Sequence, residues 1–259
     1  MIIGLSALAA VAYLAAAWRA WRESAGSPWT PLALVFHVAA LYLQIVRNGT
    51  LEIGVTTALS LLAWQSAILL WGFSLRERLH PLGTVYYPFA ALFALSAALL
   101  PTHGNRVPLD DWGIGVHIAF SILSAGVLTL ASIHAVGIAV LDQVLRTPGN
   151  LTLAQRMPPL QTMERLLFRQ IAVGFFLLSL TILSGLLFVH DLFGQHLAQK
   201  TLLAIGAWLI FGVLLWGRVR YGWRGRTAIR WTLSGYGTLV AAYFGSKLIL
   251  EQFLGEHWS

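Results

Sequence analysis

The chain has 259 residues and a formal net charge of +7, with 58% hydrophobic residues, 10% charged residues and a mean hydropathy of +0.72. A soluble domain usually carries about a quarter of its residues charged, so this composition excludes an ordinary soluble protein and predicts a membrane protein. The sequence has no cysteine, which excludes disulfides, iron–sulfur clusters and thiolate zinc sites and leaves the eight histidines as the main candidate metal ligands.

Eight apolar stretches, separated by short polar or Pro/Gly-containing breaks, approach the length of about 20 residues that a membrane-spanning helix needs. They predict helices at 2–18, 32–46, 55–75, 84–100, 112–141, 166–189, 201–216 and 229–250. The first stretch has no preceding positive charge and is followed by Arg19 and Arg22, which indicates a retained anchor instead of a secretory leader. The predicted fold is therefore all-α, a polytopic helix bundle forming one transmembrane domain, with a four-helix part at 1–110 and another at 111–259.

The distribution of basic residues predicts the orientation of this bundle. With the N-terminus outside, four of the 17 Lys and Arg residues fall outside (Arg47, Arg106, Lys200 and Lys247), and the other 13 fall in the cytoplasm. Positive charge concentrates in cytoplasmic loops, so both termini are predicted to be external. Juxtamembrane arginines are satisfied by anionic lipid headgroups, and the net charge therefore predicts the lipid bilayer as the partner, with no nucleic acid.

The connections between the predicted helices argue against an enzyme. The longest, at about 142–165, is too short for a separate catalytic domain. The sequence contains no Gly-rich phosphate loop, no His-Glu-x-x-His pattern and no Ser nucleophile elbow. We therefore expect a non-enzymatic role.

Four histidines within or at the ends of the predicted helices are candidate site residues, because ionisable groups there are costly and often functional. His117 lies about five residues into the fifth helix and His190 ends the sixth on the same side, so we expect an outer pair at one depth. His134 follows 17 residues after His117, roughly 25 Å further along the helix. His37, about five residues into the second helix, is expected at this inner level.

Two imidazoles from facing helices are a common way to hold haem iron in a bundle, and the outer pair suits that role. The alternative for each histidine is a hydrogen bond to a backbone carbonyl or a position at the headgroup level. For His134 this structural role is favoured, because 17 steps of 100° turn it about 100° around the helix from His117. For His117 and His190 the residues alone leave both roles open.

Ordered motifs in the second half of the chain carry a resemblance. They include Gly115-Val116-His117-Ile118, Gly185-Leu186-Leu187-Phe188-Val189-His190, Gly222-Trp223-Arg224-Gly225-Arg226 and Tyr243-Phe244-Gly245-Ser246. Over about 112–250 the chain resembles the cytochrome c assembly protein family of CcsA/HemX-like haem-handling membrane proteins, nearest the YpjD-like subgroup of the bacterial inner membrane.

The resemblance implies a haem-binding or haem-translocating protein of the bacterial inner membrane that assists cytochrome c assembly, with haem as its cofactor or cargo and other haem-handling membrane proteins as partners. By position, His117 and His190 correspond to the family's external haem-ligating pair and His37 to a membrane histidine, whereas His134 has no counterpart. The family's Trp-Gly-x-x-Trp-x-Trp-Asp motif is missing, since 191–200 contains no tryptophan. The implied activity is thus haem binding without that aromatic platform.

Two other functional classes stay open at this stage. The same histidines suit a metal-ion transporter or its accessory subunit, although few carboxylates lie within the predicted helices to serve hard cations. A membrane scaffold without haem, in which the histidines only pack, is the third class. An absorbance spectrum of the purified protein separates haem binding from both.

Overall fold

The fold is a set of long apolar helices. In a computed structural model of the chain, the structure describes residues 1–23, 26–47, 50–77, 79–100, 105–108, 112–146, 159–188 and 198–242. The helices in these ranges are α1 Ile2–Glu23, α2 Trp29–Ile45, α3 Val55–Ser74, α4 His80–Leu99, α5 Trp112–Arg146, α6 Leu160–Phe188, α7 Ala198–Tyr221 and α8 Arg226–Val240. Six of them are long and apolar enough to cross a membrane, and α2 is a shorter apolar helix. The predicted polytopic helix bundle is confirmed.

Several helices extend beyond their predicted limits. α6 begins at Leu160 instead of 166, and α7 runs from Ala198 to Tyr221 instead of 201–216. Arginine and glutamate are good helix formers, and arginine can extend from a helix end to the headgroup region, so an apolar run understates the length of such helices. The segment 217–228, which lies between the last two predicted helices, is therefore mostly helical and contains a turn of four residues at 222–225. The predicted end of the last helix, 243–250, lies outside the described residues.

The helices group into two compact units, Met1–Gly115 with Val140–Thr162 and Val116–Ala139 with Met163–Ser259. In the first unit α1 packs against α2 and α4, and α3 packs against α2 and α4. Small residues allow these helices to approach closely. Fully buried alanines of this unit are Ala9, Ala16, Ala33, Ala67 and Ala90.

A short antiparallel sheet in the first unit was not predicted. Its strands, β1 Val46–Arg47, β2 Thr50–Ile53 and β3 Asn105–Pro108, pair in that order, with Leu51 opposite Val107. Segments of two to four residues are too short for strand alternation to be recognised in a sequence. The sheet joins the connection between α2 and α3 to the connection that follows α4. It explains why residue 46, predicted to end the second helix, belongs to a strand.

The second unit brings α5 and α6 into close contact at Gly174. A Cβ at this position would lie 2.5 Å from Leu128 Cδ2, so a larger residue would push the helices apart. Ser124 Oγ donates a hydrogen bond of 3.2 Å to the Gly174 carbonyl. The two helices run antiparallel, because residues later in α5 contact residues earlier in α6.

The other two helices of this unit pack through aromatic side chains. Trp208 of α7 stacks on Phe175 of α6 at 5.3 Å, and its Nε1–H donates to Ser179 Oγ at 2.8 Å. α7 also packs against α8, where Gly235 makes room for the ring of Phe211. The α5–α6 pair that carries two of the candidate histidines is thus supported by α7.

Candidate functional site

His117 lies near the start of α5, and its imidazole is half-buried against α6. Its Nδ1 is 3.1 Å from the carbonyl oxygen of Thr181 and 3.1 Å from Ser184 Oγ. A carbonyl oxygen only accepts, so Nδ1 carries the ring proton and donates it to Thr181. Ser184 Oγ donates to the same carbonyl at 3.0 Å, which leaves its lone pairs facing the imidazole.

This arrangement fixes the tautomer of His117. Nε2 carries the lone pair, and it forms no hydrogen bond with any residue in the described ranges. Histidines that bind metals usually donate their other ring N–H to a carbonyl, a carboxylate or water, which orients the ring and raises its basicity. His117 therefore has the geometry of a ligand that can supply one imidazole nitrogen to a metal.

His190, the predicted partner of His117, lies outside the described residues, as does the segment 191–197. The residues of α6 that contact His117 are Thr181 and Ser184, and Ser184 precedes His190 by six positions in the chain. The pairing of His117 with His190 stays a prediction.

His134 is completely buried on α5, where it contacts Gln170 of α6. The distance from His134 Nδ1 to Gln170 Oε1 is 2.7 Å. His134 Nε2 and Gln170 Nε2 are both buried and have no hydrogen-bond partner in the part of the chain that the structure describes. With Nδ1 as the donor to the amide oxygen, His134 presents a lone pair and Gln170 presents an N–H group.

His37 occupies the centre of a polar cluster in the first unit. Its Nε2 is 2.8 Å from Ser60 Oγ, and its Nδ1 is 3.2 Å from the Tyr13 hydroxyl. The Tyr13 ring also meets the imidazole edge-on, with the centroids 5.7 Å apart. Both ring nitrogens are thus engaged in either tautomer. For His37 to bind a metal, one of these hydrogen bonds would have to be replaced.

His117, His134 and His37 differ in whether a ring nitrogen is left without a hydrogen bond. His117 has a free nitrogen in a half-buried position, His134 has one in a fully buried position, and His37 has none. Among the described residues, no three histidine or acidic side chains are grouped closely enough to hold one metal ion. Of these three histidines, His117 is therefore the one whose free ring nitrogen is least enclosed by the protein.

Comparison with known proteins identifies the family. Residues 26–254 of the chain match the family described as "Cytochrome C assembly protein". The chain belongs to this family. The match includes His37, His117, His134 and His190, and the resemblance predicted from the motifs is confirmed.

Individual members of the family support the same assignment. The chain is 33% identical to "Inner membrane protein YpjD" of Escherichia coli (strain K12) over 231 residues, 85% of this chain and 84% of the relative. It is 27% identical to an uncharacterized 28.8 kDa protein of Azospirillum brasilense over 233 residues, 88% of this chain and 86% of the relative. The "Cytochrome c biogenesis protein CcsA" of Synechocystis sp. is 29% identical over 123 residues, 47% of this chain and 37% of the relative. No solved structure matches the chain significantly.

Six helices in the described ranges are long and apolar enough to cross a membrane. Together with membership of the cytochrome c assembly protein family, they make the chain a multi-pass protein of the bacterial inner membrane. The histidines in its helices were recognisable from the sequence, but their hydrogen-bond partners were not. Gln170 gave a usable signal, since it is an amide at the start of the apolar part of α6. Ser60, Tyr13 and Ser184 gave none, because such residues are common in spanning helices.

Proposed function

We propose that this member of the cytochrome c assembly protein family binds haem, with His117 Nε2 as an axial ligand of the iron. The observation that carries the proposal is the hydrogen bond of 3.1 Å from His117 Nδ1 to the Thr181 carbonyl. This bond holds the ring in the tautomer whose Nε2 lone pair is available, and a backbone carbonyl cannot exchange the role of acceptor for that of donor. When bound, haem supplies a redox-active iron whose axial positions accept imidazole nitrogens.

The surroundings of His117 support a preorganised ligand. Thr181 and Ser184 are buried, and both lie on α6, which the Gly174 contact holds against α5. A ring with one nitrogen bonded to the backbone of a packed helix has little freedom to rotate. Such fixed outer partners of a ligand typically contribute about 10 to 100-fold to metal affinity.

His190 is the proposed second axial ligand. The proposal rests on its place in the sequence, two residues after the last described residue of α6, Phe188. Handling of haem by an imidazole pair at the outer ends of two helices fits the relative from Synechocystis, which is named a cytochrome c biogenesis protein. We therefore assign the chain to haem binding or haem transfer in cytochrome c assembly, where it would meet other haem-handling membrane proteins.

The test is the absorbance spectrum of the detergent-purified protein after expression with ample haem. Wild-type protein is expected to show a Soret band with the pattern of six-coordinate low-spin iron. His117→Gly is expected to lose that pattern, and added imidazole is expected to restore it by replacing the missing side chain. His80→Gly is the matched control, because His80 is a partly exposed histidine at the start of α4 in the other unit.

Two outcomes would contradict the proposal. An unaltered spectrum in His117→Gly would exclude His117 as the ligand, and the buried His134 would then be the residue to replace. Absence of Soret absorbance from wild-type protein expressed with ample haem would exclude haem binding altogether.

A further inference from the structure

The four-residue turn between α7 and α8, at 222–225, has a conformation that its sequence fixes. Gly222 and Gly225 have φ values of +67° and +57°, in the left-handed region that favours glycine. The Trp223 ring packs directly on Gly217, where a Cβ would lie 2.4 Å from Trp223 Cε3. Trp223 N–H also donates to the Gly217 carbonyl at 3.2 Å. Three glycines and one tryptophan thus specify one shape for this turn.

The turn is also bonded to the start of α6. Arg218 Nη1 donates to the Trp223 carbonyl at 3.0 Å, and its guanidinium lies 4.6 Å from the centroid of the Phe168 ring. The Gly225 N–H donates to Glu164 Oε1 at 2.8 Å. These contacts bring the first turns of α6 and α8 and the last turn of α7 to one end of the second unit.

This end carries a large excess of positive charge. The segments 159–169 and 216–231 contain seven arginines and a single carboxylate, that of Glu164. Six of the arginines are exposed, and we refer to them as the arginine cluster: Arg165, Arg169, Arg220, Arg224, Arg226 and Arg230. The Glu164 carboxylate accepts a backbone N–H from the turn, and its single negative charge cannot balance seven arginines.

Two arginines at other helix ends form ion pairs within the chain. Arg19 forms an ion pair of 2.8 Å with Glu23, and Arg146 contacts Asp142 at 3.1 Å. In the arginine cluster, by contrast, Arg224 and Arg230 form no ion pair with any residue in the described ranges. Arg224 and Arg230 therefore present guanidinium groups that can bind an external anion.

The spacing within the cluster makes an anion favourable. Arg165 and Arg169 are four residues apart on α6, and Arg226 and Arg230 are four residues apart on α8. Like charges at this spacing lie on one face of a helix and repel each other. A phosphate group between guanidinium groups offsets that repulsion, and two of its oxygens can accept the two parallel N–H groups of one planar fork.

Aromatic side chains at the same level indicate where the anion comes from. The side chains of Trp216 and Tyr221 are 59% and 62% exposed. Trp223 packs against Trp231, with the centroids 5.3 Å apart. Exposed tryptophan and tyrosine beside arginine at the ends of apolar helices are typical of the membrane interface. The anion that is abundant at this level is the phosphodiester of a phospholipid.

We propose that the α7–α8 turn and the arginine cluster form a binding site for the headgroup of an anionic phospholipid. The turn holds the arginines in place, the guanidinium groups bind the phosphodiester, and the exposed aromatic rings contact the glycerol and upper acyl chain. The site is independent of haem, because its residues do not include the candidate histidines.

Native mass spectrometry of the full-length protein in detergent tests this proposal, with phosphatidylglycerol and phosphatidylcholine of equal acyl length added in equal amounts. Wild-type protein is expected to retain phosphatidylglycerol preferentially. The double variant Arg224→Gln/Arg230→Gln is expected to lower that preference about tenfold, since each arginine near a membrane surface contributes measurably to anionic lipid binding. The control Arg19→Gln/Arg22→Gln removes the same charge from the end of α1 and is expected to retain the preference.

The following results would overturn the proposal. Equal retention of both lipids by wild-type protein would show that the cluster does not select anionic lipid and would favour an acidic protein surface as its partner. An equal loss in the two double variants would show an effect of net charge alone. Displacement of the lipid by inorganic phosphate, but not by chloride of equal ionic strength, would assign the site to free phosphate. The haem spectrum of Arg224→Gln/Arg230→Gln is expected to be unchanged, so this site and the haem proposal can fail separately.

Discussion

His134 Nδ1 and Gln170 Oε1 meet at 2.7 Å inside the second unit, yet each of these side chains keeps one buried nitrogen without a partner in the described part of the chain. Buried polar atoms in folded proteins are nearly always hydrogen-bonded. This pair therefore makes a short hydrogen bond between α5 and α6 and, at the same place, leaves His134 Nε2 and Gln170 Nε2 without partners among the described residues.

Replacing Gln170 alone should destabilise the protein more than replacing both residues. Gln170→Leu leaves both nitrogens of the fully buried His134 without a partner, which costs about 1–3 kcal/mol. His134→Leu/Gln170→Leu removes every polar atom of the pair and should recover most of that loss. Denaturant unfolding in detergent measures both free energies. A double variant less stable than Gln170→Leu would show that the imidazole is satisfied in some other way.

Ser184→Ala should weaken haem binding without abolishing it. The variant removes the hydroxyl that lies 3.1 Å from His117 Nδ1 but keeps the Thr181 carbonyl that accepts the ring proton. Loss of one outer partner of a ligand typically costs about tenfold in affinity. Titration with haem, followed at the Soret band, measures the change.

Ser179→Ala is the control for Ser184→Ala, since it removes a serine of the same helix that contacts Trp208 instead of a histidine. If Ser184→Ala binds haem as tightly as the control, Ser184 has no part in orienting His117. If it binds no haem at all, the hydroxyl and not the carbonyl holds the ring.

Gly174→Ala should separate α5 from α6. The added methyl group would lie 2.5 Å from Leu128 Cδ2, and insertion of such a group into a packed interface costs about 1–3 kcal/mol. Leu128→Ala in the same chain should relieve the clash and recover part of the stability. Gly237→Ala on α8 is the control, since a Cβ there meets no atom within 4 Å. Equal thermal stability of Gly174→Ala and Gly237→Ala would contradict the close approach.

A reporter fused after residue 259 should report an external C-terminus. The reason is the distribution of Lys and Arg, of which 13 of 17 lie in the predicted cytoplasmic segments. A second fusion at residue 159, before α6, should report the cytoplasm. Activity of the C-terminal reporter in the cytoplasm would show that the number of crossings is odd or that the orientation is reversed.

The sequence was sufficient to predict the helices, because a run of about 20 apolar residues has few structural alternatives in a membrane. It was insufficient at the helix ends. Arg218 and Arg220 belong to α7 although they are charged, and the short strand Thr50–Ile53 has no periodicity long enough to recognise. At the membrane interface, polar residues occur in helices, turns and strands alike. The local sequence therefore does not show which of these three conformations a helix end adopts.

The position of His117 in its helix was predictable from the sequence, but the hydrogen bonds of its imidazole were not. His117 falls near the start of α5, as its position in the apolar run predicted. The proton donor role of its Nδ1 depends on a carbonyl 64 residues away in the chain. Backbone carbonyls have no sequence signature, and the contacts of His37 with Tyr13 and Ser60 likewise come from helices that only the tertiary fold brings together.

The imidazole of His37 on α2 contacts Tyr13 of α1 and Ser60 of α3. During synthesis, α1 is made before α2 and α3 is made after it. Chains are made from the N-terminus at a limited rate, so α1 and α2 are present before Ser60 has been synthesised. During that interval Nε2 of His37 has no partner, and an unpaired polar atom in an apolar environment opposes close packing. We therefore expect close packing of α1 and α2 around His37 to await α3. Substitutions that remove the Ser60 hydroxyl should consequently cause poor insertion and rapid degradation of newly made protein before they cause any defect in ligand binding.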